Sequence, residues 1–323
     1  MINNIDLFSG IGGFSYALHG HVRTIMYSDI SDLCKTTLES LMRRGLIDTA
    51  PIVGDIRNIS AASIIKQTQC LPNMITAGFP CQDLSSANSR AKGLDGERSG
   101  LFYELVRLCR EMPSIENLLL ENVGKVATES NMRRIKDAFV PLGFDVSHVI
   151  VSAMQLGAPH LRRRCYILVT KDISKLKMIH PSYTDIWETR CVESMTKVKS
   201  MSEIHVFKER CCLCGNSVVP ACVVSAFNYL VHGTPMVEIR RDFNITLHDQ
   251  KNGIMVKKKR WGTPYASMHL YNKYNSLTKR STTVLYNQIY YQEDNTEKRT
   301  NGWTINPCFV EWMMGYPPDY TKA

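Results

Sequence analysis

The chain has 323 residues, 44% of them hydrophobic and 21% charged, which excludes wholesale disorder and allows one large domain with a smaller one beside it. Its formal net charge of +9 is densest over residues 233–323, where Lys257-Lys258-Lys259-Arg260-Trp261 suits a phosphate backbone as well as a plain solvated surface. No stretch reads as a membrane span or as a secretion signal at residues 1–14, and eleven irregularly spaced cysteines point to free thiols, so an intracellular protein is expected.

Ile5-Asp6-Leu7-Phe8 followed by Ser9-Gly10-Ile11-Gly12-Gly13-Phe14 reads as a buried strand, a glycine turn and a helix start. Such a turn brings backbone close to a ligand. It is not the dinucleotide fingerprint, because Ser15 stands where the third glycine would be. A strand over residues 24–28 ends in Asp29, where an acidic side chain can accept from ribose hydroxyls, and a helix over 31–42 follows. Ile52-Val53-Gly54-Asp55-Ile56 is a short strand ending in a carboxylate that can meet an adenine amino group. Three such strand ends describe the nucleoside-binding edge of a doubly wound α/β sheet.

The apolar run ending at Ala77 delivers Gly78-Phe79-Pro80-Cys81-Gln82 as a turn that can face the Cys81 sulfur into a cleft, the place for a nucleophile; a packing thiol is the alternative. The polar stretch 85–100, before a helix over 101–111, reads as a lid on that nucleophile or as an ordinary surface loop. Asn117-Leu118-Leu119-Leu120-Glu121-Asn122-Val123 sets Glu121 at the end of an apolar run. An unpaired carboxylate is costly there, which suits it to hold or deliver a proton near neutral pH. Gln155-Leu156-Gly157-Ala158-Pro159-His160-Leu161-Arg162-Arg163-Arg164 leads into a strand over 165–170, whose alternation puts Arg162 and Arg164 on one face and Arg163 on the other. Cys211-Cys212-Leu213-Cys214 has a Cys-x-x-Cys spacing, but the second close pair that zinc wants is missing, so packing thiols and no metal are expected.

Together these runs resemble the DNA cytosine-5 methyltransferases that use S-adenosylmethionine. The matching segments are Asp6 through Gly13, Gly78 through Gln82, Glu121 through Val123, Gln155 through Arg164, and Gly215-Asn-Ser-Val-Val-Pro220, most densely over residues 1–177. The resemblance implies a Rossmann-like methyltransferase sheet with a second, smaller target-recognition domain. It implies Cys81 as the thiolate that adds to carbon 6 of a flipped-out cytosine, Glu121 at the N3 and amino edge of the base, and Arg162, supported by Arg164, holding the base. For the cofactor it sets Phe8 against the adenine, Gly10, Ile11, Gly12 and Gly13 beside the methionine part, and Asp29 on the ribose hydroxyls. Asp55 and Ile56 then meet the adenine, while Leu101, Asn216 and Ser217 complete the pocket. The implied partner is double-stranded DNA, with a cognate restriction endonuclease acting on the same site, for a monomer in the cytoplasm of a bacterial or phage setting or in the nucleus or host cell of a viral or eukaryotic one.

The motif at Gly215 closes the chain in most of the family, yet here Arg260-Trp-Gly-Thr-Pro264 and Asn306-Pro-Cys-Phe-Val-Glu-Trp-Met-Met-Gly-Tyr-Pro317 come after it and resemble segments usually placed before it. The order resembles a circular permutation. The expected division is therefore 1–177 plus about 211–232 as catalytic domain, 178–210 as a connection without an assigned role, and 233–323 as target recognition. The Tyr and Asn content between residues 265 and 287 suits phosphates and base edges or ordinary strands. No arginine precedes Glu311-Trp312 where the penultimate family motif often has one. An RNA cytosine methyltransferase of the same fold is the alternative, though such relatives read Pro-Pro-Cys where this chain has Phe79-Pro80-Cys81. A DNA-binding relative without catalysis would need neither Cys81 nor Glu121, and a nicotinamide-dependent oxidoreductase would want glycine at Ser15.

Overall fold

A computed structural model describes residues 1–80, 100–188, 195–197, 200–239, 241, 245–249, 254–258 and 303–323. In chain order the first half gives β1 (Ile2–Leu7), α1 (Gly13–Ala17), β2 (Val22–Ser28), α2 (Asp32–Arg43), β3 (Ile52–Val53), α3 (Ala61–Thr68), β4 (Met74–Ala77), α4 (Leu101–Glu111) and β5 (Asn117–Val123). Next come α5 (Glu129–Phe139), β6 (Asp145–Ser152), β7 (Arg163–Thr170), β8 (Met195–Lys197), α6 (Met201–Asn216) and α7 (Pro220–His232). The last elements are β9 (Ile245–Asp249), β10 (Ile254–Lys258), β11 (Trp303–Ile305) and α8 (Pro307–Met313).

Seven strands form one sheet in the order β3-β2-β1-β4-β5-β7-β6. The first five are parallel, whereas β7 runs antiparallel to both β5 and β6. The chain winds outward from β1 to β3, then returns to β4 on the other side of β1. This reversal opens a crevice at the carboxyl ends of β1 and β4, where doubly wound sheets bind ligands.

Period-two alternation along buried strands builds the two cores that flank the sheet. Leu118, Leu120, Cys165, Ile167 and Val169 pack with Phe102 of α4 and Phe139 of α5 on one face. Leu119, Tyr166 and Leu168 pack on the other with Phe14 of α1, Leu38 of α2 and Phe227 of α7. The helix expected over 31–42 starts at a side-chain cap, as do two helices that sequence did not mark, α5 and α8. Ser31 accepts from Cys34 N to start α2, Thr128 accepts from Asn131 N to start α5, and Asn306 accepts from Cys308 N to start α8.

The expected boundary at residue 233 does not follow the packing of the last residues. Phe309, Val310, Trp312, Met313, Tyr316 and Tyr320 are buried in the same core as α1 and α7. Tyr316 Oη donates to Val218 O at 2.8 Å and Tyr320 Oη to Ile11 O at 3.0 Å. The end of the chain is thus built into the sheet domain. The connection is built in as well, since Trp187 lies in this core and β8 pairs antiparallel with β11. The stretch His205–His232 is apolar enough to resemble a membrane span, but 78% of its apolar 18-residue window is buried inside the fold, and the stretch is broken between α6 and α7.

Candidate active site

The loops after β1 and β2 lock together through Ser9 and Asp29. Ser9 N donates to Ser28 O at 2.9 Å and Ser28 N to Ser9 Oγ at 3.0 Å. The Asp29 carboxylate accepts from Gly10 N at 2.8 Å and from Ser31 N at 2.9 Å. Two backbone donors therefore fix this acceptor at the crevice. Gly10 has φ 54° and nothing within 4 Å of where a Cβ would stand, so its side-chain side is open. Phe8 is half-buried with φ 53°, and Ile30, which sequence reasoning missed, is 74% exposed directly after Asp29.

The rest of the turn packs inward. A Cβ on Gly12 would stand 3.0 Å from Leu38 Cδ2, and one on Gly13 would stand 2.4 Å from Tyr316 Oη. Ile11 is buried in the core. At the end of β3, Asp55 accepts from Arg57 N at 2.9 Å and holds the Arg57 guanidinium, whose hydrogen bonds draw the carboxyl below its ordinary range. The Ile56 side chain lies in the core and its carbonyl accepts from Arg107 Nη2 at 3.1 Å, which leaves its backbone N–H for any ligand. Leu101 is half-buried at the start of α4, Asn216 is exposed at the end of α6, and Ser217 is buried with its hydroxyl donating to Cys214 O at 2.8 Å.

Glu121 projects from the carboxyl end of β5, next to the chain leaving β4. Its Oε2 lies 3.6 Å from where a Gly78 Cβ would be, and Asn122 Nδ2 donates to Phe79 O at 3.2 Å. Cys81 and residues 82–99, with most of the stretch read as a lid, lie outside the described residues. Glu121 is not the unpaired carboxylate that the apolar run suggested, because Arg164 Nε lies 2.9 Å from its Oε1. Register explains this: Arg164 faces Val123 across the β5–β7 ladder, one pair beyond Asn122 and two beyond Glu121. Alternation holds, with Arg162 buried, Arg163 exposed and Arg164 half-buried.

Arg162 does something that sequence did not foretell. Its guanidinium donates to Gly215 O at 3.2 Å and to Ser217 O at 2.5 Å, which ties this loop to the segment after α6. Burial first, and then the Arg164 charge, push it down to about 10, so it stays protonated at neutral pH. His160 is fully buried with Nε2 at 2.8 Å from Met313 O, and burial pushes it down to about 3, so it is a neutral imidazole donating to that carbonyl. Burial raises Cys211 and Cys214, and no cluster of three metal-ligating side chains occurs among the described residues. A cavity of about 210 Å³ lies apart from this edge, between α1, residues 182–187 and the start of α7, and none of the predicted site residues lines it.

The chain is 28% identical over 231 residues to the Type II methyltransferase M.CviJI of Paramecium bursaria Chlorella virus IL3A, covering 71% of this chain and 59% of that one. It is also 28% identical over 168 residues to the Type II methyltransferase M.HhaI of Haemophilus parahaemolyticus, covering 51% and 47%. The chain spans about half the length of most of the curated relatives it matches. Among solved structures, a Spodoptera frugiperda DNMT2 variant aligns over 54% of this chain and 51% of that one, at 18% identity and a TM-score of 0.44. The profile described as C-5 cytosine-specific DNA methylase matches residues 2–323, and the chain belongs to that family.

Proposed function

We propose that this chain transfers a methyl group from S-adenosylmethionine to carbon 5 of a cytosine in double-stranded DNA. The observation that carries the reading is the Glu121–Arg164 pair, set beside Gly78 where the chain runs toward Cys81, on the sheet edge that also holds Asp29 and Gly10. The residues of that edge fit the cofactor. Asp29 is a fixed anionic acceptor for ribose hydroxyls, Gly10 leaves room, and Phe8 and Ile30 offer apolar surface to an adenine. The Ser9 to Phe14 turn has no basic residue to meet dinucleotide phosphates. Asp55 and the Ile56 backbone stand for the adenine edge, with Ile11, Gly12, Gly13, Leu101, Asn216 and Ser217 around them.

Bound there, S-adenosylmethionine supplies the electrophilic methyl that carbon 5 takes. Cys81, as a thiolate, adds to carbon 6 and gives carbon 5 the electron density it lacks. Glu121 meets the N3 and amino edge and steadies the ring as sulfur adds. Arg164 keeps that carboxylate oriented, and Arg162 braces the loop against residues 215–217 beside the base. Loss of the carbon-5 proton to solvent and of the thiolate then restores the ring. A target inside a duplex must first be flipped out, at a cost of about a few kcal/mol.

Phe79 in place of a second proline favours DNA over RNA as substrate. The designation of the relatives as Type II methyltransferases supports a role in restriction-modification or self-DNA marking, with a cognate endonuclease as partner of a monomeric enzyme located with the cell's DNA. The test is transfer of labelled methyl to duplex DNA and, separately, to RNA, with the product identified as a nucleoside. We expect 5-methylcytosine in DNA, lost in Cys81→Ser with cofactor binding retained. Label in RNA alone would move the substrate to RNA, and unchanged transfer by Cys81→Ser would remove Cys81 from its role.

A further inference from the structure

The turn at residues 185–188 belongs to the connection whose purpose sequence left open, and it touches the chain on both sides of residues 242–302. On the leading side, Arg241 grips Asp185 with both terminal nitrogens, Nη1 to Oδ1 at 2.7 Å and Nη2 to Oδ2, and Nη2 also lies 3.3 Å from Glu188 Oε1. The two side chains are only 17% and 20% exposed, so water screens the pair incompletely. Two residues earlier, Ile239 N donates to Gln155 O at 2.8 Å. The guanidinium lies over Gly157, where φ is +94° and a Cβ would stand 3.2 Å from Arg241 Nη1 and 3.2 Å from Ile239 Cγ2.

On the trailing side, Trp187 Nε1 donates to Trp312 O at 2.9 Å and Trp312 Nε1 donates to Ile186 O at 3.2 Å. Just beyond the turn, β8 pairs with β11, the strand that leads into α8. A bidentate arginine–carboxylate pair fixes orientation as well as distance. A reciprocal tryptophan pair does the same for the other side. Gln155 and Gly157 belong to the loop that carries Arg162, so whatever holds Arg241 also holds the recognition chain against the catalytic edge.

We propose that the Asp185–Glu188 turn is a bracket that fixes both ends of the target-recognition segment against the Arg162 loop, with Asp185 and Arg241 as positioning residues. This rests on the reading above, in which residues beyond 241 select the DNA site. The pair sets the angle at which that segment meets the duplex, while cofactor binding and the chemical step stay with residues it does not touch.

The test compares wild type, Asp185→Asn, Arg241→Lys, Arg241→Ala and the Asp185→Asn/Arg241→Ala double variant as full-length proteins. Asp185→Asn keeps the side-chain size, which guards against misfolding. The expected result is a rise of about 5-fold or more in KM for duplex DNA in Asp185→Asn and Arg241→Ala, with kcat within about twofold, unchanged S-adenosylmethionine binding, and partial recovery in Arg241→Lys. The double variant should be no worse than the poorer single one. Unchanged KM in both single variants, or losses that multiply in the double, would overturn the bracket. Hydrogen exchange at the Ile239 amide separates the two ideas: faster exchange in Asp185→Asn supports the bracket even if wild type transfers nothing to DNA, an outcome that would sink the functional reading, and unchanged exchange overturns the bracket.

Discussion

The carboxyl of Asp6 lies beneath the turn that carries Gly10, at the end of a buried chain of hydrogen bonds. Asn4 Nδ2 donates to Thr76 Oγ1 at 2.8 Å, and Thr76 Oγ1 donates to Asp6 Oδ1 at 2.8 Å, while Oδ2 is buried without a partner among the described residues. Burial raises the group to about 8, the Thr76 bond opposes this and the nearby Asp29 adds to it. An unfolded aspartate ionises near 3.8, so between about pH 4 and pH 8 the folded protein binds the extra proton. Stability from this group is therefore full below pH 4 and lost as pH rises through about 8. Asp6→Asn keeps an acceptor for Thr76 and removes the titration, so its urea midpoint should vary less with pH than that of wild type over this window. Equal slopes in the two proteins would contradict the assignment. Asp29 and Glu121 were legible in the sequence because each ends a local strand pattern. The acceptors of Arg162 were not, since Gly215 and Ser217 lie 53 and 55 residues away and no local pattern points to them.

Between elements, the arginine that sequence found missing before Glu311 is supplied by another helix. Arg210 of α6 donates through Nη2 to Glu311 Oε1 at 2.8 Å and to Asp319 Oδ1 at 3.0 Å, and its Nε donates to Thr321 Oγ1 at 3.1 Å. Glu311 is fully buried and also accepts from Thr321 N at 2.8 Å. The neighbouring carboxylates raise Arg210 against the effect of burial. Removing one partner of such a pair strands the other charge in the core, at a cost of about 3–5 kcal/mol. Arg210→Met should lose that much stability in urea unfolding, and a loss below about 1 kcal/mol would mean that water reaches Glu311. The helices over 31–42 and 101–111 were readable from the sequence; which helix answers Glu311 was not, because the partner is 101 residues away.

At the scale of the molecule, α7 and, much later in the chain, α8 pack in one core and β11 pairs with β8, so the segment proposed above for target recognition is joined to the sheet domain at both ends rather than trailing from it. Tyr316 and Tyr320 reach back to Val218 and Ile11, 98 and 309 residues earlier in the chain. The doubly wound sheet was legible from its strand ends. The return of residues 303–323 was not, because their apolar pattern says that they are buried without saying against what. The central claim, that Cys81 adds to the base, is tested most directly with mixed-sequence duplex DNA carrying 5-fluorocytosine, since fluorine cannot leave carbon 5 as a cation and the sulfur bond to carbon 6 persists. With S-adenosylmethionine present, wild type should form a denaturation-resistant adduct of protein and DNA whose mass maps to the peptide holding Cys81, and Cys81→Ser should form none. Methyl transfer by wild type to unsubstituted duplex DNA without such an adduct on the fluorinated DNA, or an adduct on another residue, would contradict the account.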